Sequence, residues 1–158
     1  MSESSGMRTS PTNMVMGFFT VIVLWLLLSV APGYLIAGEI TLNNISQDEW
    51  FTNYLMATGG TVVLVFFLVV VWFSYGSKTE VLEKMNEATT KYRTLFMLSI
   101  ILGVVGSLAL IILFLGEGND LSFILIDSVL LITSCALSFW LSTFLFSPKY
   151  VEFIPFGK

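Results

Sequence analysis

Four stretches of this chain carry almost no charge, and each is long enough to cross a bilayer, which takes about 20 apolar residues as helix. They are residues 14–38, 54–75, 94–115 and 121–146. Together they use most of the 158 residues, leaving too little for a soluble domain. In hydrocarbon every backbone polar group must find its partner inside the protein, so a run of this kind is helix. The expected fold is therefore all-α and integral to a membrane: one domain of four transmembrane helices in an up-down bundle. Composition agrees, with 56% of residues hydrophobic and 11% charged, where soluble domains carry about 25% charged residues.

Basic residues set the orientation of such a bundle. Arg8 precedes the first span, Lys78, Lys84, Lys91 and Arg93 lie between the second and third, and Lys149 and Lys158 follow the fourth. The other two loops hold Glu39, Asp48, Glu49, Glu117 and Asp120 and no cation. Both termini and the middle loop are expected on the cytoplasmic side of a multi-pass protein; which membrane is not written in the residues. Arg8, the apolar run and Ser29-Val-Ala31 have the outline of a signal peptide. The run is too long for that, and Pro32 disfavours cleavage, so span one is expected to be retained.

Several chemistries are excluded by residue type. The chain has no histidine and one cysteine, Cys135. Histidine-ligated haem, histidine zinc or copper sites, cysteine-held iron–sulfur clusters and a Ser–His triad cannot be built from it. Nor is there a Gly-rich phosphate loop or an Asp-rich metal motif. An acidic balance, net charge −4, gives no footprint for nucleic acid. No cofactor and no metal are predicted, and lipid is the expected bound component. The chain is read as a non-enzyme, a catalytic role inside a larger complex aside.

The segments between spans carry local signals. Ser46-Gln-Asp-Glu49 and Ser77-Lys-Thr-Glu80 are capping boxes, in which Ser and Glu satisfy the free amides of a helix start. Trp50, Phe51 and Tyr54 form an aromatic group suited to the membrane–water boundary, matched by Trp72, Phe73 and Tyr75 at the far end. Pro32 predicts a kink near Ser29–Gly33. Asn44-Ile-Ser46 matches a glycosylation acceptor, but it lies close to the membrane and is read as unused. The connector 76–93 holds Glu80–Lys84 and Glu87–Lys91 at i,i+4 spacing, which supports a cytoplasmic helical stalk. The 116–120 turn is short enough to make spans three and four neighbours. Residues 147–158 contain Pro148 and Pro155 and are expected to be extended. Lys84 and Met85 in the connector, with Tyr150, Phe153, Ile154 and Phe156 in the tail, are the candidate partner-docking residues.

Small residues recur at i,i+4 spacing in three spans: Ser29, Gly33 and Ala37; Ser99, Gly103 and Ser107; Ser134, Ser138 and Ser142. Lipid gives no hydrophobic reward for helix contact, so such stripes mark places where helices approach closely. Asp127 is the one charged residue inside any of the four runs, and carboxylates at such places usually face the bundle interior and mark function. A helical wheel puts it on the Ser134–Ser138 side. Its candidate hydroxyl partners by depth are Thr61 and Ser107, and the five residues make a candidate intramembrane polar clasp. Three states stay open: a neutral carboxyl, one hydrogen-bonded to hydroxyls, or one paired with a cation from another chain. Asp127 lies only ~9 Å along the helix from Leu121, close to the outer boundary.

Two functions compete. The first is a structural or accessory subunit of a membrane complex, with hetero-oligomeric membrane partners expected over self-association and no nucleic acid. The second is a small oligomeric transporter or channel that uses Asp127 for ion coupling or gating.

Overall fold

The computed structural model describes residues 11–39, 46–76, 85–115 and 121–146, and every one of these except Ser46 is helical. Helix α1 covers Pro11–Trp25, a π-helical turn follows at Leu26–Val30, and α2 continues through Ala31–Glu39. Helix α3 runs Gln47–Val71 into a second π-turn at Trp72–Gly76; α4 is Met85–Leu115 and α5 is Leu121–Phe146. Four spans long and apolar enough to cross a membrane result: Met14–Gly38, Gln47–Ser74, Thr89–Leu115 and Leu121–Leu145. The N-terminal residues 1–10, Lys84, the second capping box, the 116–120 turn and the tail with Tyr150, Phe153, Ile154 and Phe156 fall outside the described residues, as does the Met85 side chain.

Helix α3 starts seven residues ahead of the apolar run because its cap works. Ser46 is extended, at φ −72° and ψ 156°. Its Oγ accepts the Glu49 N–H at 3.2 Å, and its carbonyl accepts the Trp50 N–H at 2.9 Å. The Glu49 N–H, one of the otherwise free donors at the helix start, thus gains a partner, and the Trp50 bond opens the regular helical ladder. Ser46→Ala is expected to cost about 1 kcal/mol of stability, read as a lower midpoint in thermal unfolding followed by circular dichroism.

The expected kink in span one takes the form of the π-turn. The Ala31 N–H reaches back five residues to the Leu26 carbonyl, one turn before Pro32, whose ring cannot donate and crowds the preceding turn. This widening has a consequence for packing. In an unbroken helix at 3.6 residues per turn, Ser29 would sit about 80° round from Val21. The wider turn holds later residues back, so Gly17, Val21, Ser29, Gly33 and Ala37 all face inward and are buried.

The core is organised the opposite way from a soluble bundle. Fully apolar Phe19, Val63, Phe67, Ile101, Ile112 and Val129 point outward, where lipid would meet them at no cost. Inward go the polar and small positions of α5, namely Asp127, Ser128, Ser134, Cys135, Ser138, Ser142 and Thr143, with Leu131 and Phe139 between them. The tightest seam joins α4 to α5. A side chain on Gly103 would bring its first carbon to 2.8 Å from the Ile132 Cα, and one on Gly106 to 3.1 Å from Leu131 Cδ2 of α5, with Thr61 Oγ1 of α3 nearer still at 2.5 Å.

Candidate functional site

Polar groups gather at two levels of the bundle. The first lies around Tyr54 on α3, whose ring is fully buried. It is seated against Gly33, where no side chain would fit, and lies parallel to Trp50 at 5.4 Å between centroids. Trp50 in turn meets Phe114 of α4 at 5.1 Å. The Tyr54 hydroxyl donates to the Ser29 carbonyl at 2.9 Å. That carbonyl belongs to the π-turn, where the backbone ladder is irregular, and the phenol supplies a donor to it. Asp127 of α5 is 3% exposed.

Trp50 and Tyr54 thus pack inside the bundle rather than on its outer face, with Trp72 and Phe73 buried likewise at the other end of the span. A signal for this exists in the sequence. The buried positions Trp50, Tyr54, Thr58, Thr61, Val65, Val69 and Trp72 follow spacings of three and four. In a helix that is apolar all round, the inward face is marked by aromatic, hydroxyl and small residues rather than by hydrophobicity.

The second level lies around Tyr92 on α4. Its ring meets Trp72 edge-on at 5.1 Å and Phe139 at 5.5 Å. Its hydroxyl lies 3.2 Å from Thr143 Oγ1. Thr143 spends its single proton on the Phe139 carbonyl at 2.6 Å, so the phenol is the donor. Tyr92 and Thr143 join α4 to α5, and neither stands out by sequence pattern alone.

The proposed clasp residues do not form one hydrogen-bond network. Ser107 Oγ lies 2.8 Å from the Gly103 carbonyl and 3.0 Å from the Ser128 carbonyl across the seam. With one proton it serves both in a shared or alternating bond, and it ties α4 to the residue beside Asp127. Thr61 Oγ1 donates to its own helix at the Ala57 carbonyl, 2.9 Å away, and also packs beside Gly106. Neither hydroxyl bonds to Asp127, whose Oδ1 is buried without a hydrogen bond. Ser134 and Ser138 Oγ are likewise buried and unbonded, as are Ser29 and Ser128 Oγ and Trp50 Nε1. The wheel assignment of Asp127 to the buried Ser134–Ser138 face agrees with the burial of all three.

The packing residues Ser29, Gly33, Ala37, Ser99, Gly103 and Ser142 are all buried. Ser99 and Ser142 turn their hydroxyls to their own helices, onto the Phe96 and Phe139 carbonyls at 2.7 and 3.1 Å, so the sides they present to neighbours are small. Removing the cross-helix donor by Ser107→Ala is expected to cost about 0.6 to 2 kcal/mol, the range for hydrogen bonds between membrane helices. Reversible unfolding in mixed micelles measures it.

Among the described residues no three Asp, Glu, Cys or His side chains group as a metal site. Cys135 is buried and in no disulfide, its Cβ lying 3.4 Å from the position a Gly103 Cβ would take. What the arrangement can do chemically is hold helices together and, at Asp127, present a buried acidic oxygen with no partner. Compared with known proteins, the chain matches no family model, no curated protein and no solved structure.

Proposed function

We propose that this chain is a non-catalytic structural or accessory subunit of a larger membrane complex. The observation that supports it best is what the buried polar groups do. Ser107, Tyr54 and Tyr92 each reach across to a neighbouring helix, and Ser99 and Ser142 close onto their own. These are packing duties. Span one adds a free flank: 17% of its most apolar window is buried, against 33% to 39% for the others. A partner helix would find its open side there, where Phe19 and Leu27 are exposed.

The same reading takes the spans as alternating in direction, with both termini cytoplasmic. Gly17 beside Phe73 and Gly33 beside Tyr54 support opposite directions for spans one and two, and the cation-free loops at 39–53 and 116–120 support the outer face. The connector around Lys84 and Met85 and the tail with Tyr150, Phe153, Ile154 and Phe156 would be the docking elements for hetero-oligomeric partners, with lipid filling the rest.

Photo-crosslinking residues placed at Phe19, Leu27 and Phe153 test the assignment in native membranes. Crosslinks to a protein of different sequence, retained on mild extraction, are expected. A monodisperse monomer whose only crosslinks are to lipid would overturn it. The unbonded Asp127 oxygen favours one second reading, a small oligomeric transporter or channel that couples to ions through this residue.

A further inference from the structure

Span one is built from two halves that are held in different ways. The first half, α1, lies mainly along α5. It sends Phe18, Val21 and Trp25 into the core, with Phe18 stacked on Phe66 of α3 at 4.0 Å. At Gly17 it approaches α5 closely: a side chain there would meet the Ser142 carbonyl at 3.3 Å. The second half, α2, lies mainly along α3. Its buried positions, among those described, are Gly33 and Ala37. Of its large side chains, Tyr34 and Leu35 are exposed and Ile36 is partly buried. Packing contacts are what resist the movement of a helix in lipid, and α2 contributes few side-chain atoms to them.

Between the halves lies the π-turn Leu26–Val30. Its bond from the Ala31 N–H to the Leu26 carbonyl departs from the regular helical ladder, and Pro32 adds no N–H of its own. Bends in helices are placed at such sites. Tyr54 of α3 grips both sides of this joint. Its hydroxyl donates to the Ser29 carbonyl within the π-turn, at 2.9 Å. Its ring fills the space that Gly33 leaves in the first turn of α2.

We propose that the Leu26–Val30 π-turn is a hinge, that α2 is a flap moving on it, and that Tyr54 is the latch that keeps the flap closed. Hinges of this kind are a few residues at the ends of elements, which take up the change in backbone angles. Opening breaks the bond to the Ser29 carbonyl, lifts Gly33 from the ring and uncovers Tyr54, which is fully buried in the closed form. Throughout, α1 stays seated on α5. The hinge does not rest on the subunit reading, since a flap of this kind serves a partner helix and a solute path alike.

Pairs of spin labels on the full-length protein in lipid nanodiscs, with Cys135→Ala removing the native thiol, test this through the distances between them. Labels at Leu35 and Leu125 read the flap against α5, and labels at Phe19 and Phe144 read α1 against α5; all four side chains are exposed. Tyr54→Phe keeps the ring and frees the carbonyl, so the ratio of open to closed flap should rise about tenfold, the scale of one hydrogen bond. The Phe19–Phe144 distance should not change. Gly33→Ala, which pushes a carbon into the ring, should open the flap from the other side. Hydrogen exchange read by mass spectrometry supplies the second measurement. Amides of residues 31–38 should exchange faster than those of 14–25 in the wild type, and about tenfold faster again in Tyr54→Phe. If the Leu35–Leu125 distance stays as narrow as the control in all three proteins and exchange at 31–38 is unchanged, the bend is a rigid kink and the proposal is overturned. Equal loosening of both pairs overturns it too, because the two halves then do not move separately. If both variants fail to fold, exchange in the wild type decides: equal rates in the two halves refute the hinge.

Discussion

Gly103→Leu is expected to separate α4 from α5 and to be, with substitution of Gly33, among the most damaging changes at the described glycines. Even the first carbon of a side chain would stand 2.8 Å from the Ile132 Cα and 3.4 Å from the Cys135 Cβ. The nearer obstacle is backbone, which cannot rotate away as a side-chain tip can. Overfilling a packed seam costs about 1–3 kcal/mol and sometimes more, and leucine adds three further carbons. Gly103→Ala should sit within that range and Gly103→Leu above it. Gly60→Leu is the matching control, because nothing lies within 4 Å of a side chain there. It should keep the wild-type midpoint or raise it, since glycine is the poorer helix former by about 1 kcal/mol. Thermal unfolding of the four proteins in one detergent reads the series. A Gly103→Ala protein that melts with the wild type would show that the α4–α5 seam is looser than described.

Tyr54 carries the second large effect, and two substitutions split it. Tyr54→Ala removes a fully buried ring that packs on Gly33 and stacks on Trp50, for an expected loss of about 3–5 kcal/mol, the range for aromatic-to-alanine changes in a core. Tyr54→Phe keeps the ring and removes only the hydroxyl that donates to the Ser29 carbonyl. Its cost should be about 1–3 kcal/mol, that of leaving one buried acceptor without its partner. The ratio is informative. If phenylalanine costs as much as alanine, the hydrogen bond to the π-turn outweighs the packing, and the turn itself is being held in shape by Tyr54.

Particular residues show how far the sequence could be read. Span positions follow from charge-free length alone, and the four runs coincide with the helices to within a few residues except at the starts of α3 and α4, which lie seven and nine residues ahead of their runs; a described cap accounts for the first. Ser46 supplies that cap: α3 begins at Gln47 because a serine there satisfies the helix start, and the capping pattern says so in advance. The small stripes were legible too, since Gly33 and Gly103 lie where close approach between helices requires no side chain. Partner identity along those stripes was not. Gly33 meets the Tyr54 ring, whereas Gly103 meets the backbone of α5, and nothing in the spacing distinguishes a ring from a helix. The aromatic group at Trp50–Tyr54 behaves similarly: its residues suit a membrane boundary and a tight interior alike, and only the neighbours show that Trp50 and Tyr54 turn inward.

Asp127 divides the two kinds of information most clearly. Its isolation from every basic residue, and its place on the serine face of the last span, are properties of the chain written out in order. A bilayer imposes helices on uncharged runs because it can bond no backbone group itself, so local composition determined the spans. Which hydroxyl meets which carbonyl depends on rotations and offsets of an ångström or two between helices. Ser107 binds the carbonyl of Ser128 rather than the carboxyl of Asp127, and the π-turn before Pro32 swings Ser29 toward Tyr54. Those pairings belong to the tertiary structure, because apolar helices in lipid have no hydrophobic face to fix their rotation and are set instead by the fit of small and polar groups across each seam.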